Sequence, residues 1–246
     1  MSKLAIVTGG SRGLGRAMVL RLGQMGYNVV MNYVSDSSKK ECEKNLEELK
    51  KMGSDGIYIQ ADVSNYEGCE KVVNAAVEKF GKKIDVLINN AGVSNNAEFY
   101  KQDHEDYEWL VRVNLLSVMH MTRLVLPYMV ESEEGNIINI SSIGGLMGVI
   151  NQADYCATKS GIIGFTRALA LEYANKNIRV NAICPGMIDT DILKGVNQDE
   201  LNALASTIPL GKIGDPECIA GTMQYLIEND YTTGAYLTPN GGIFMP

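Results

Sequence analysis

Tyr155 and Lys159 lie four residues apart in the stretch Tyr155-Cys156-Ala157-Thr158-Lys159, which opens a predicted helix, so phenol and ammonium share one face. With twelve tyrosines in the chain such a pair arises easily by chance, and its weight comes from position. Ser141-Ser142 closes the preceding predicted strand, thirteen residues before Tyr155. A strand end followed by a helix start brings hydroxyl and phenol to one carboxyl-edge cleft. The chemistry open to such a set is proton delivery to a carbonyl oxygen while hydride arrives at its carbon. A free phenol, with a pKa of about 10, exchanges its proton poorly near neutrality. Lys159 is therefore expected to favour the phenolate by charge attraction and draw the pKa of Tyr155 toward the working pH, while Ser142 holds the substrate oxygen. Asn114, in the helix after the fourth strand, is expected to carry a water linking Lys159 to solvent. Taken alone, it reads as a helix-interior amide facing solvent, and Ser142 as a strand-end hydroxyl.

A hydride needs a donor, and Thr8-Gly9-Gly10-Ser11-Arg12-Gly13-Leu14-Gly15 supplies a place for one. The stretch follows the first strand and opens the first helix, where Gly9, Gly13 and Gly15 permit a tight turn and bring the backbone of Ser11, Arg12 and Leu14 close to a pyrophosphate. The same letters satisfy G-x-S-x-G through Gly9, Ser11 and Gly13, which raises a serine hydrolase with Ser11 as nucleophile. That rival needs an earlier strand-helix loop for its oxyanion hole and a histidine base, and neither His104 nor His120 sits in a motif. At the end of the second strand, where a carboxylate would hold the ribose hydroxyls of NAD, stands Tyr33. With no carboxylate there to repel a 2'-phosphate, Arg12 in the loop and Ser35 beyond the strand favour NADP(H), and Asp36 leaves NAD(H) open. Asp62-Val63 after the third strand and Asn89-Asn90-Ala91-Gly92 after the fourth fall on the same rim. Read alone, Asp62 is equally a helix cap and Asn-Ala-Gly a turn.

Gathering these residues requires a sheet with all its carboxyl ends on one side. Short runs at Leu4 to Val7, Val29 to Asn32, Ile57 to Gln60, Val86 to Ile88, Ile137 to Ile140 and Val180 to Ile183 read as strands, with a last one near Ala235 to Thr238. Between them Gly13 to Met25, Lys39 to Met52, Tyr66 to Phe80, Tyr107 to Met129, Ala153 to Ala174 and Pro216 to Ile227 carry apolar residues at helical spacing. The alternation predicts an α/β fold: one doubly wound parallel sheet of about seven strands with helices on both faces. Met187 to Leu210 fits neither period and is expected to be a substrate loop.

At 246 residues and 46% hydrophobic composition the chain is expected to form a single domain, 1–246. A net charge of -7 without a run of Lys or Arg argues against a nucleic acid or an anionic membrane as partner. No stretch approaches about 18 apolar residues, and Leu4 to Val7 leads into Thr8-Gly9 rather than a cleavage site, so a cytoplasmic location is expected. Five scattered cysteines without CxxC spacing suit reduced thiols, and two histidines make a histidine-rich metal site improbable.

Taken in order, Thr8-Gly-x3-Gly-x-Gly15, Asn89-Asn-Ala-Gly92, Asn114, Ser142, Tyr155-x3-Lys159 and Pro185-Gly186 make the sequence resemble the short-chain dehydrogenase/reductase family from end to end. The resemblance implies a Rossmann fold, a catalytic set of Asn114, Ser142, Tyr155 and Lys159, and a nicotinamide carboxamide held by Ile188 and Thr190. In length, in Asn-Val-Val-Met-Asn-Tyr33 and in Pro185-Gly-Met-Ile-Asp-Thr190 the chain is similar to the bacterial 3-oxoacyl-[acyl-carrier-protein] reductases. That likeness implies an NADPH-dependent homotetramer reducing an acyl thioester. A hydroxysteroid or other secondary-alcohol dehydrogenase, or a catalytically idle dinucleotide sensor, are the competing readings. One departure stands out. Where the subgroup carries a basic residue nine positions before the serine, to dock the acidic carrier protein, this chain has Glu133 between Glu131 and Glu134, which opposes docking, while Lys176 matches the second basic position. Ala157, Gly161, Gly164 and Ala168 give the catalytic helix a small-residue face, suited either to a second copy or to its own sheet.

Overall fold

Seven short runs become strands, the central ones rich in β-branched residues and buried from both sides by helices, which removes the need for a polar face. In the computed structural model, which describes residues 3–195 and 197–245, they are β1 (Leu4–Val7), β2 (Asn28–Tyr33), β3 (Gly56–Gln60), β4 (Val86–Asn89), β5 (Gly135–Ile140), β6 (Ile178–Ile183) and β7 (Tyr236–Leu237). All pair in parallel, in the order β3-β2-β1-β4-β5-β6-β7. The chain builds outward from β1 to β3 and then crosses back to β4, so the strand order reverses between β1 and β4, the crevice where such sheets bind ligands. Register aligns Val7 with Ile88, Ile88 with Ile138 and Ile140 with Ile183, and thereby lines up the loops after β1, β4, β5 and β6 on one edge.

The helices are α1 (Gly13–Gln24), α2 (Lys39–Lys51), α3 (Tyr66–Phe80), α4 (His104–Val111), α5 (Ser117–Ser132), α6 (Ala153–Tyr173), α7 (Gln198–Ser206) and α8 (Pro216–Glu228). One core face joins Met18 and Leu22 of α1, Leu49 of α2 and Met223 of α8 to Val7, Val29 and Ile138 of the sheet. The other joins Val72 of α3, Met121 and Val125 of α5 and Leu169 of α6 to Ile6, Leu87 and Ile137.

Two elements differ from the sequence reading. The helix expected at Tyr107 to Met129 runs from His104 to Ser132 and widens to a π turn over Arg112–Leu116, at Asn114. By length and composition it is the one helix among the described residues that could cross a membrane; here its Met121, Val125 and Met129 are fully buried in the core. The expected loop Met187 to Leu210 contains a short turn, Asp191–Leu193, and α7, while Val196 lies outside the described residues. α7 fully buries no residue and its apolar stripe, Leu201, Leu204 and Ala205, is short and only half-buried; its start is fixed by a capping box, with Asn197 Oδ1 accepting from Glu200 N–H at 2.9 Å and Glu200 reaching back to Asn197.

Candidate active site

The glycine loop is built by neutral amides. Thr8 Oγ1 accepts from the N–H groups of Asn90 (2.9 Å) and Ala91 (3.0 Å), and Asn90 Nδ2 donates to the carbonyls of Thr8 (2.8 Å) and Gly9 (3.2 Å), tying the rim of β4 to the loop after β1. From β2, Asn32 Oδ1 accepts from Gly9 N–H at 2.8 Å while its Nδ2 donates to the Ala61 carbonyl at 2.9 Å. From α2, Asn45 Nδ2 donates to the carbonyls of Gly10 (3.2 Å) and Ser11 (3.0 Å). Gly9 and Gly13 take the left-handed backbone conformation, with φ of 64° and 54°. A Cβ on Gly15 would lie 2.1 Å from the Gly9 carbonyl oxygen, so only glycine lets helix and loop approach this closely. The first turn of α1 has neither a side-chain cap nor an acidic residue, which leaves its N–H donors and positive dipole end for an anion. These residues fit a dinucleotide pyrophosphate.

Around this cradle the expected contacts divide. Tyr33 is buried, its ring 6.0 Å from that of Tyr58, so the residue at the ribose position turns into the core instead of to the rim. Ser35 is exposed and shares hydrogen bonds with the hydroxyls of Ser37 and Ser38. Asp36 accepts from Gln60 Nε2 at 2.9 Å, which holds its carboxylate toward β3. Arg12 is exposed on the loop and pairs with Asp191 at 3.3 Å. Asp62 does not cap α3: Asn65 does, accepting from Gly68 N–H, while the exposed Asp62 carboxylate accepts from Ser64 N–H and Val63 is buried beside it. Ser11 is buried without an imidazole near it, since His104 lies against Glu105 and His120 stacks edge-on to Tyr66, so the hydrolase arrangement is not formed.

Next to the cradle the four expected catalytic residues converge from three elements. A Cβ built on Gly144 would lie 3.4 Å from both Ser142 Oγ and Tyr155 Cε1, and one on Gly92 would lie 3.3 Å from both Asn114 Oδ1 and Lys159 Nζ. Ser142 caps the turn Ile143–Gly145 by accepting from Gly144 N–H at 3.0 Å, and that turn is fastened to α6 by Ser141 Oγ donating to the Lys159 carbonyl and Ser160 Oγ donating to the Gly145 carbonyl. Asn114 is fully buried, in contrast to the solvent-facing amide it resembles in isolation: Oδ1 accepts from Val93 N–H (2.8 Å) and Nδ2 donates to the Val93 carbonyl (2.9 Å). The π turn at this position frees helix carbonyls from their usual partners.

The electrostatics depart from the charge-attraction expectation. Lys159 Nζ donates to the Ile140 carbonyl at 2.9 Å and stands 5.6 Å from the centre of the Tyr155 ring. Burial pushes the phenol of Tyr155 above its usual value, partly offset by the Ser142 hydroxyl, with no resolved contribution from the lysine. Burial also drives Lys159 down from 10.5 to about 8. The desolvation of both groups outweighs their mutual attraction at this separation.

The segment after β6 closes the site from the other side. The Pro185 carbonyl accepts from Ile143 N–H at 3.0 Å, and Gly186 N–H donates to the Pro239 carbonyl at 3.1 Å. Ile188 is buried and paired with Gly214, and Thr190 Cγ2 would be 3.6 Å from a Cβ on Gly13, so this segment lies directly on the glycine loop. Asn32, Asn45 and Asp191 were not expected here from the sequence. Asn32 had a signal, an amide inside an otherwise apolar buried strand, as did Asn45, an amide in the apolar helical series Cys42, Asn45, Leu49.

Comparison with known proteins agrees with this geometry. The model of the short chain dehydrogenase family matches residues 3–201. The chain is 37% identical to the 3-oxoacyl-[acyl-carrier-protein] reductase FabG of Staphylococcus epidermidis over the whole of both chains, and 36% identical to the 3-oxoacyl-[acyl-carrier-protein] reductase of Synechocystis over 99% of this chain and 98% of that one. A crystal structure of an actinorhodin polyketide ketoreductase variant with NADPH superposes with a TM-score of 0.91 at 33% identity, covering 98% of this chain and 97% of the other. The chain belongs to the short chain dehydrogenase family.

Proposed function

We propose that this protein is an NADP(H)-dependent reductase that converts a 3-oxoacyl thioester to the 3-hydroxyacyl thioester. The observation that carries the reading is the convergence of Ser142, Tyr155, Lys159 and Asn114 beside an uncapped, glycine-rich helix start. The relatives named 3-oxoacyl-[acyl-carrier-protein] reductase and the ketoreductase structure with NADPH support both the substrate class and the cofactor. Held at Gly9, Gly13 and Gly15, NADPH would supply the hydride for the carbonyl carbon. Ser142 holds the carbonyl oxygen, whose C=O π electrons become a lone pair as the hydride bonds to carbon, and Tyr155 gives that oxygen its proton. Lys159, with a pKa brought to about 8, exchanges protons near neutrality and restores the phenol; Asn114, fixed by Val93, keeps the lysine's surroundings ordered. Ile188 and Thr190 hold the nicotinamide end, and Arg12 and Ser35 meet the 2'-phosphate.

The thioester carrier is read as acyl carrier protein or coenzyme A, with docking of the carrier protein weakened at Glu133. Glu133 is an exposed residue ending α5 in a left-handed conformation, its carbonyl accepting from Asn177 Nδ2, so an acidic residue stands at a docking position in the same neighbourhood as the exposed Lys176. Exposed Met147, Val149 and Ile150 along the turn before α6 suit an acyl chain and equally favour a second reading, a free hydrophobic ketone or hydroxysteroid. The whole chain is read as one cytoplasmic dinucleotide-binding domain with its substrate loop at about 187–210. Ala157, Gly164 and Ala168 of α6 face outward, while Gly161 packs on Leu115, which supports a homotetramer joined through this helix.

Nicotinamide absorbance on purified enzyme tests the reading, with NADPH or NADH against acetoacetyl thioesters of coenzyme A and carrier protein and a panel of free ketones. Thioester-dependent NADPH oxidation that falls roughly 100-fold or more in Tyr155→Phe is expected. Turnover of free ketones alone would move the substrate to the second reading, and unchanged turnover in Tyr155→Phe would remove the tyrosine from its role.

A further inference from the structure

Arg12 of the glycine loop and Arg16 in the first turn of α1 have different engagements. Arg16 is held within its own side of the fold, its Nε donating to Asn45 Oδ1 at 3.0 Å and its guanidinium to Glu48 at 2.9 Å. Arg12 instead reaches across the cleft to Asp191, on the turn after β6, at 3.3 Å. Asp191 has a second cation on its other oxygen, Lys194, so its charge stays neutralised when Arg12 leaves. The arginine side chain is 67% exposed and the aspartate 30%, which places the pair at the cleft mouth, open to a competing anion. Thr190 lies against Gly13 one residue earlier, so glycine loop and turn are already in contact where the pair crosses.

We propose that Asp191 is a specificity-determining residue for the cofactor: it is the counter-ion that a 2'-phosphate must displace from Arg12, and it therefore sets how strongly NADPH is preferred over NADH. The inference rests on the NADP(H) reading above. Both cofactors carry the same pyrophosphate, so NADH reports any general gain from removing a negative charge near the loop, and only the difference between the cofactors reports the exchange at Arg12.

The experiment is a set of dissociation constants for NADPH and NADH, by nicotinamide fluorescence, on wild type, Asp191→Asn, Arg12→Ala and the double variant. Asp191→Asn is expected to tighten NADPH by roughly 1.5- to 5-fold, the range of an exposed ion pair, and to leave NADH nearly unchanged. In the Arg12→Ala background the same substitution should have no effect on NADPH, because its partner is gone. Equal tightening of both cofactors, or an effect that survives Arg12→Ala, would overturn the role of Asp191 and leave NADPH preference standing. A wild type that does not prefer NADPH would instead sink the cofactor reading itself, and the inference with it.

Discussion

Replacing Lys159 with methionine should stabilise the folded protein or leave it unchanged near neutral pH, although the lysine is central to the proposed chemistry. The ammonium is buried, 4% exposed, and its pKa falls from 10.5 to about 8. At about 1.4 kcal/mol per tenfold in proton affinity, holding the charged form inside costs on the order of 3 kcal/mol. Methionine removes that cost and leaves the Ile140 carbonyl without its donor, a loss of about 1–3 kcal/mol. The net expectation for Lys159→Met at neutral pH is a gain of about 0–2 kcal/mol. The sign of the pH dependence follows from proton counting. Below about pH 8 folded and unfolded lysine are both protonated, so the wild-type penalty is complete and constant. Between about 8 and 10.5 the unfolded chain binds more protons than the folded one, so wild-type stability rises with pH. Denaturant unfolding of both proteins from about pH 7 to about pH 10.5 should therefore show the variant's advantage flat at first and then shrinking by about 3 kcal/mol. A difference that stays constant across the range would refute the argument that Lys159 is charged against the cost of burial.

Gly15→Ala places a Cβ 2.1 Å from the Gly9 carbonyl oxygen, so loop and helix must separate; NADPH affinity measured by fluorescence should fall at least about tenfold, and an unchanged dissociation constant would mean the loop yields freely. Asn32→Ala leaves Gly9 N–H and the Ala61 carbonyl without partners, which predicts a loss of about 2–4 kcal/mol in denaturant unfolding and a raised KM for the cofactor with little change in kcat; a loss under about 1 kcal/mol would show that other groups hold the loop.

The order of strands and helices was readable because the parallel strands are short runs dominated by apolar, largely β-branched residues and most helices carry one apolar stripe. α7 escaped because its stripe, Leu201, Leu204 and Ala205, is short and only half-buried, a weak signal inside a segment otherwise read as loop. The π turn escaped for a different reason: one extra residue per turn changes hydrogen bonding without changing the residue types that a pattern can register. At the site, residue types and spacing named Asn114, Ser142, Tyr155 and Lys159, which the structure brings together, but misjudged their surroundings. Tyr33 occupied the expected strand position yet faces the core, since facing depends on the register of β2 against β3 and β1. The mutual effect of Tyr155 and Lys159 depended on distance and burial, neither of which a spacing of four residues specifies.

An acidic chain that binds a polyanion must solve an electrostatic problem locally, and here it does so mainly without formal charge. Carbonyl oxygens of Thr8, Gly9, Gly10 and Ser11 would repel phosphate if they faced it; each accepts from an asparagine side chain, Asn90 or Asn45, which turns them toward the protein. What remains for the anion is the backbone N–H array at the uncapped start of α1, a donor set that any pyrophosphate satisfies and that does not distinguish one dinucleotide from another. On the proposed reading, discrimination between cofactors is placed farther out, and of the two arginines near the loop Arg16, in α1, is engaged with Asn45 and Glu48. Arg12 is the one left facing the cleft, and it is neutralised by Asp191. On the proposed reading, a neutral cradle concentrates cofactor choice in the Arg12–Asp191 pair, where a change of one carboxylate shifts preference while leaving Ser142, Tyr155 and Lys159 in place.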